Sequence, residues 1–176
     1  MDTLKLKDGR HLAFEQYGTE NGIPVIHQHG FGDSRLARHP DNKLTIEAGI
    51  RLITVDRPGY GESSPHPGRT FLDWVPDIEQ LANQLKIDKF NVMSHSGGSP
   101  YALAIAYKLK DRVNKVVLVS PIGFLDVLSV LTLIISGKWI LIQIRFLMEQ
   151  TTMQVELQLF CRLQGNLKNI TSIKRS

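Results

Sequence analysis

Phe90-Asn-Val-Met-Ser-His-Ser-Gly-Gly-Ser-Pro-Tyr101 is the stretch on which the fold turns. Phe90 to Met93 is a short apolar run of strand length. From Pro100 to about Leu109 the chain is Ala-rich and apolar almost all round, which predicts a buried helix. Between the two stands Ser94-His95-Ser96-Gly97-Gly98. A strand that turns directly into a helix needs small residues two positions either side of the corner. A serine at that corner projects from the carboxyl edge of the sheet, close to a helix N-terminus. Ser96 holds the corner here, with Gly98 after it and Ser94, rather than the usual glycine, before it.

Working outward, the same alternation extends in both directions. Leu4 to Leu6 and His11 to Tyr17 flank Lys7-Asp8-Gly9-Arg10, and Asp-Gly between alternating runs predicts a hairpin. Pro24 to His29 predicts a strand that ends at Gly30, followed by a loop and a polar helix-like stretch from Ser34. Arg51 to Val55 predicts another strand, which stops at Asp56-Arg57-Pro58-Gly59. Thr70 to Ile87 has apolar residues at helical spacing, and Thr70 with Asp73 makes a capping-box-like start. Pro76 conflicts with a helix interior, so the helix either kinks there or begins there. Val116 to Val119 is the next strand. Hairpin, then strand and helix in turn, predicts an α/β fold: a mostly parallel sheet of about six strands with an N-terminal hairpin.

Beyond residue 122 the pattern changes. Val127 to Ile135 is apolar and uncharged, and Trp139 to Leu163 is mostly helix-forming. The expected organisation is a core over 1–122, a helical cap-like segment over 123–167 and a basic tail over 168–176. Residues 127–144 carry a single charge, Lys138, so the stretch is weighed as a membrane span. A lysine near its centre costs about 3 kcal/mol on insertion scales, which favours a greasy cap over a span.

Composition narrows the classes. The chain has 176 residues, 42% hydrophobic and 22% charged, which suits one globular domain and not a disordered or collagen-like chain. The net charge of +4 implies no nucleic-acid partner. The single cysteine, Cys161, excludes an intramolecular disulfide and any CxxC site. Met1 to Lys5 lacks the apolar run of a signal peptide, so a cytoplasmic location is expected. His27 and His29 share a strand face but lack further ligands nearby, and no metal site is expected. Gly59-x-Gly61 lacks the third glycine of a dinucleotide loop and the lysine of a P-loop, so no cofactor is expected.

Three motifs stand in order: His29-Gly30-Phe31-Gly32, Asp56-Arg57-Pro58-Gly59-Tyr60-Gly61-Glu62-Ser63 and Ser94-His95-Ser96-Gly97-Gly98-Ser99-Pro100-Tyr101. With them the chain resembles the α/β-hydrolase family from about Gly9 to Pro121. The resemblance implies a serine hydrolase acting on carboxylic esters or related acyl compounds, with a small acyl or lipid-like ligand as its partner. It implies Ser96 as nucleophile, the backbone amides of Gly97 and Phe31 as oxyanion donors, and neither metal nor organic cofactor. A carboxylate nucleophile, as in dehalogenases and epoxide hydrolases, would need an acid at position 96.

One part of the apparatus is missing from the pattern. The family order is serine, acid, histidine. The histidines are His11, His27, His29, His39, His66 and His95, and none follows Ser96. Asp126 is a thin candidate for the acid; His66, in the Pro-rich loop, is the remaining histidine that loop motion could bring up. The chain therefore reads as a C-terminally truncated α/β hydrolase with an incomplete triad. Truncation would leave Val116–Val119 as an apolar sheet edge, open to self-association. The rival reading is a non-catalytic binding or interaction module, or a membrane-associated protein through 127–144.

Overall fold

The structure is a computed structural model that describes residues 2–122, and the backbone of two further strands at 131–135 and 138–143. The Asp8-Gly9 turn folds the first two runs into an antiparallel hairpin, β1 (Asp2–Lys5) with β2 (His11–Gly18), placing Leu4 opposite Leu12. Next come β3 (Ile23–Gln28), α1 (Asn42–Glu47), β4 (Ile50–Val55), α2 (Val75–Gln84), β5 (Phe90–His95), α3 (Ser99–Lys108) and β6 (Val113–Val119). The sheet runs β1-β2-β4-β3-β5-β6 and continues through β8 (Lys138–Gln143) to β7 (Leu131–Ile135). Strands β4, β3, β5 and β6 are parallel to their neighbours in that order. The expected six-stranded α/β core with its N-terminal hairpin is therefore present.

The parallel strands β3, β4, β5 and β6 carry buried apolar residues on both faces, as in a sheet whose two faces are both covered. One face carries Ile26, Ile53, Val55, Val92, Val116 and Leu118 against Trp74, Ile78 and Leu81 from the α2 region and Ala102 and Ile105 of α3. The other carries Val25, Leu52, Met93, Val117 and Val119. An ion pair fastens the hairpin to this core: Arg10 Nη1 and Nη2 both donate to buried Asp77 of α2 at 2.7 Å.

Three expectations change, and one open alternative is decided. The stretch from Ser34 is turns, and the helix begins later, at Asn42, where Asp41 caps it by accepting from the Lys43 N–H at 2.9 Å. The Pro76 conflict resolves by division: Leu72–Trp74 is a 3-10 turn, and the α-helix starts at Val75 with Pro76 in its first turn, where a missing N–H costs nothing. Asp73 accepts from both the N–H and the hydroxyl of Thr70 at 2.7 Å, the expected start signal. Val116–Val119 is not an edge, since β6 pairs in parallel with β8 and the edge passes to β7. Finally, 131–135 and 138–143 are strands, not the helices that a helical cap or a membrane span requires. An uncharged apolar run has no periodicity to separate strand from helix. The remainder of the 123–176 expectations, Asp126 among them, lies outside the described residues. Among the described residues no helix is long and apolar enough to cross a membrane.

Candidate functional site

Parallel register decides where the site lies. Gln28 of β3 stands beside Val55 of β4 on one side and Ser94 of β5 on the other. The three strands thus end at one height. The loops that follow, from His29, from Asp56 and from Ser96, meet at the carboxyl edge, the usual place for a ligand site in a parallel sheet.

Ser96 turns the corner between β5 and α3. His95 is still extended (φ −119°, ψ 137°), whereas Ser96 has φ +45°. A positive φ on a serine is a strained conformation that the surroundings must enforce. Packing enforces it here. A Cβ on Gly98 would lie 2.2 Å from the Gln28 carbonyl oxygen, so α3 sits directly on β3. A Cβ on Gly97 would lie 2.6 Å from the Phe31 ring, and one on Gly30 3.6 Å from Ser96 Cβ. The His29–Phe31 loop is therefore pressed against the corner, with the Phe31 ring 69% exposed at the mouth. Ser94, the departure from glycine, is buried and its hydroxyl reaches Ser99 Oγ at 3.4 Å; Ser99 in turn donates to the Ser96 carbonyl at 2.8 Å. The extra hydroxyl is absorbed by the turn.

The Asp56–Ser63 loop braces the site from the side. Asp56 is fully buried and accepts from the Arg35 N–H at 2.6 Å, the Arg35 guanidinium at 2.5 Å and the Glu62 N–H at 3.0 Å. Gly61 (φ +48°) crosses so close that a Cβ would lie 2.0 Å from Asp56 Oδ2. Arg57, next to Asp56, is also fully buried, yet it meets no carboxylate among the described residues. It donates to the carbonyls of His29 (2.5 Å) and Gly30 (3.0 Å) and lies over the rings of Tyr60 and Tyr101. Burial pulls its pKa below the ordinary arginine value. Motif spacing marked this loop, but nothing in it told which groups Arg57 would hold.

The histidines divide plainly. None of the six hydrogen bonds Ser96 Oγ. His95 turns its ring toward Gly30, with Nδ1 3.1 Å from where a Gly30 Cβ would stand. His29 is buried between its neighbours: Nδ1 lies 2.8 Å from the Gly30 carbonyl, and Nε2 accepts from the Arg57 N–H at 3.2 Å. Its pKa is lowered, first by burial and then by the Arg57 charge. His27 is buried with both ring nitrogens unpaired, and burial pushes its pKa down to about 3. His66 stays in its loop, where its carbonyl accepts from Arg69 at 3.4 Å.

The family model of the alpha/beta hydrolase fold matches residues 23–136, and the chain belongs to that family. It is 36% identical over 119 residues to a proline iminopeptidase of Arabidopsis thaliana, covering 65% of this chain and 31% of that protein. It is 32% identical over 126 residues to a non-heme chloroperoxidase of Streptomyces lividans, covering 69% and 45%. Among solved structures, a thermophilic esterase from Thermogutta terrifontis superposes with a TM-score of 0.58 at 30% identity, covering 69% of this chain and 46% of that one. A hydrolase from Pseudomonas aeruginosa reaches a TM-score of 0.63 at 20% identity, a likeness of fold. The matches thus span less than half of each of these relatives.

Proposed function

We propose that this chain carries the nucleophile half of a serine hydrolase site for carboxylic esters or related acyl compounds. The observation that carries the reading is Ser96 at φ +45° on a strand–helix corner, with the Gly30–Phe31 loop packed against it. Ser96 Oγ would attack the acyl carbon, and the carbonyl oxygen would take up negative charge. The Gly97 and Phe31 N–H groups would donate to that oxygen; one such donor is typically worth about 3 kcal/mol of barrier. The hydroxyl proton passes to a base, the tetrahedral species expels the alcohol, and water then hydrolyses the acyl-serine. An esterase and an iminopeptidase among the similar proteins agree with acyl chemistry.

The base is the weak point. Among the described residues no histidine reaches Ser96 Oγ, so these residues alone would pass the proton to solvent and turn over slowly. Oxyanion stabilisation and binding alone still leave about 10³-fold over water. The same observation supports a second reading: a binding module that keeps the acyl or lipid-like pocket without turnover. Labelling with a fluorophosphonate, beside Ser96→Ala, separates them. Labelling lost in the variant supports the hydrolase reading. A folded protein that labels no faster than the variant supports the binding module.

A further inference from the structure

The Gly30 carbonyl has two donors aimed at it, Arg57 Nη2 at 3.0 Å and His29 Nδ1 at 2.8 Å. This carbonyl belongs to the same peptide group as the Phe31 N–H. We infer that Arg57, with His29, is a positioning residue that sets the direction and donor strength of the Phe31 N–H through the Gly30–Phe31 peptide. The inference rests on the reading of Phe31 as an oxyanion donor.

Three observations carry it. First, a trans peptide is planar, so its C=O and N–H point to opposite sides. There are no cis peptides in the described chain, and holding the Gly30 oxygen on Arg57 therefore turns the Phe31 N–H away from Arg57. Second, a carbonyl that accepts from a cation polarises its own amide, and the N–H becomes the better donor. Third, the histidine tautomer is set by the network. The Arg57 backbone N–H donates to Nε2, so Nε2 is unprotonated and Nδ1 carries the hydrogen that Gly30 receives. Arg57 is unlike Arg10 and Arg35, which both face carboxylates. A buried guanidinium without one is costly, and here its charge is directed at the two carbonyls that precede the oxyanion donor.

Full-length wild type is compared with Arg57→Met and Arg57→Lys, and with Asp77→Asn as a destabilised control elsewhere in the fold. Carbonyl and amide NMR shifts and amide order parameters are read at Gly30, Phe31 and Gly97, and fluorophosphonate labelling is timed. In Arg57→Met the Gly30 carbonyl and Phe31 amide shift upfield. The Phe31 order parameter falls from about 0.85 toward 0.6, Gly97 is unchanged, and labelling slows at least about 10-fold. Arg57→Lys keeps the charge but cannot span both carbonyls, so it behaves like Arg57→Met; it decides the matter should Arg57→Met not fold. Asp77→Asn leaves the three residues and the labelling rate alone. Unchanged Gly30 and Phe31 signals in both Arg57 variants overturn the inference, as does a changed loop with unchanged labelling. If wild type labels no faster than Ser96→Ala, it is the hydrolase reading that fails. The NMR arm then decides alone whether Arg57 holds the peptide.

Discussion

The ends of β3, β4 and β5 and the stretch beyond β6 are both rich in information, but of different kinds. Around Ser96 backbone meets backbone: a Gly98 Cβ would lie 2.2 Å from the Gln28 oxygen, and Gly61 crosses over the Asp56 carboxylate. Such contacts admit one residue type, so they leave a sequence signature. Beyond β6, Leu131–Ile135 and Lys138–Gln143 are held in the sheet by ladder pairing, which any apolar residue satisfies. Steric constraint is written in the sequence; ladder pairing is hardly written at all.

The most direct way to break this comparison is Gly98→Val. Its clash is with main chain that cannot swing aside, so the cost is at least about 3 kcal/mol. For a chain of this size that lowers the melting temperature by roughly 10 °C. Calorimetry showing a fall of only a degree or two would mean that α3 does not sit on β3 as described.

A second test asks whether the packed region is flawless. His27 lies on β3, buried, with neither ring nitrogen bonded. Its folded pKa is depressed to about 3 from the ordinary 6.5, mainly by burial and then by the charges of His29, His95 and Arg57. The unfolded chain therefore binds the extra proton first. Stability is intact above the unfolded value and is lost as pH falls between about 6.5 and about 3. Between pH 7 and pH 5 wild type should lose about 2 kcal/mol more than His27→Met. Urea unfolding at both values measures the difference, and equal losses would show that the imidazole has found a partner.

A smaller effect sharpens the comparison from within. Gly97→Ala also meets a close neighbour, but that neighbour is the Phe31 ring, which is 69% exposed and free to rotate outward. The expected cost is under about 1 kcal/mol. A loss matching that of Gly98→Val would mean that the Phe31 ring is held.

These contrasts explain what the sequence made readable. Ser96, Gly98, Gly30 and Gly61 were findable because a tight corner or a close approach excludes other residues. Asp41 was also findable, as a cap directly before Asn42-Lys43-Leu44, but the polar run from Ser34 concealed it. The partners of Arg57 were not. A guanidinium accepts many surroundings, and only the folded register shows that the His29 and Gly30 carbonyls face it. The same holds for Trp74, whose Nε1 donates to Gln28 at 2.8 Å across the core face, 46 residues apart in sequence.

The subtlest effect concerns the far edge. In the sheet order β8 has a neighbour on each side, and β7 has β8 alone. Ile140–Ile142 of β8 are flanked on both sides, so every amide there has a ladder to donate to, and only alternate amides of Leu131–Ile135 do. Hydrogen exchange should show continuous protection across Ile140–Ile142 and a period of two across β7. Consecutive protection through both stretches would restore the helical reading of this segment. The sequence of β7, Leu131–Ile135, has no charged residue or proline to discourage pairing, unlike β1 at the other edge with Asp2 and Lys5. Raising the protein concentration tests self-association at this edge directly. If a second copy pairs there, the unprotected alternate amides of β7 slow with concentration while those of β1 do not.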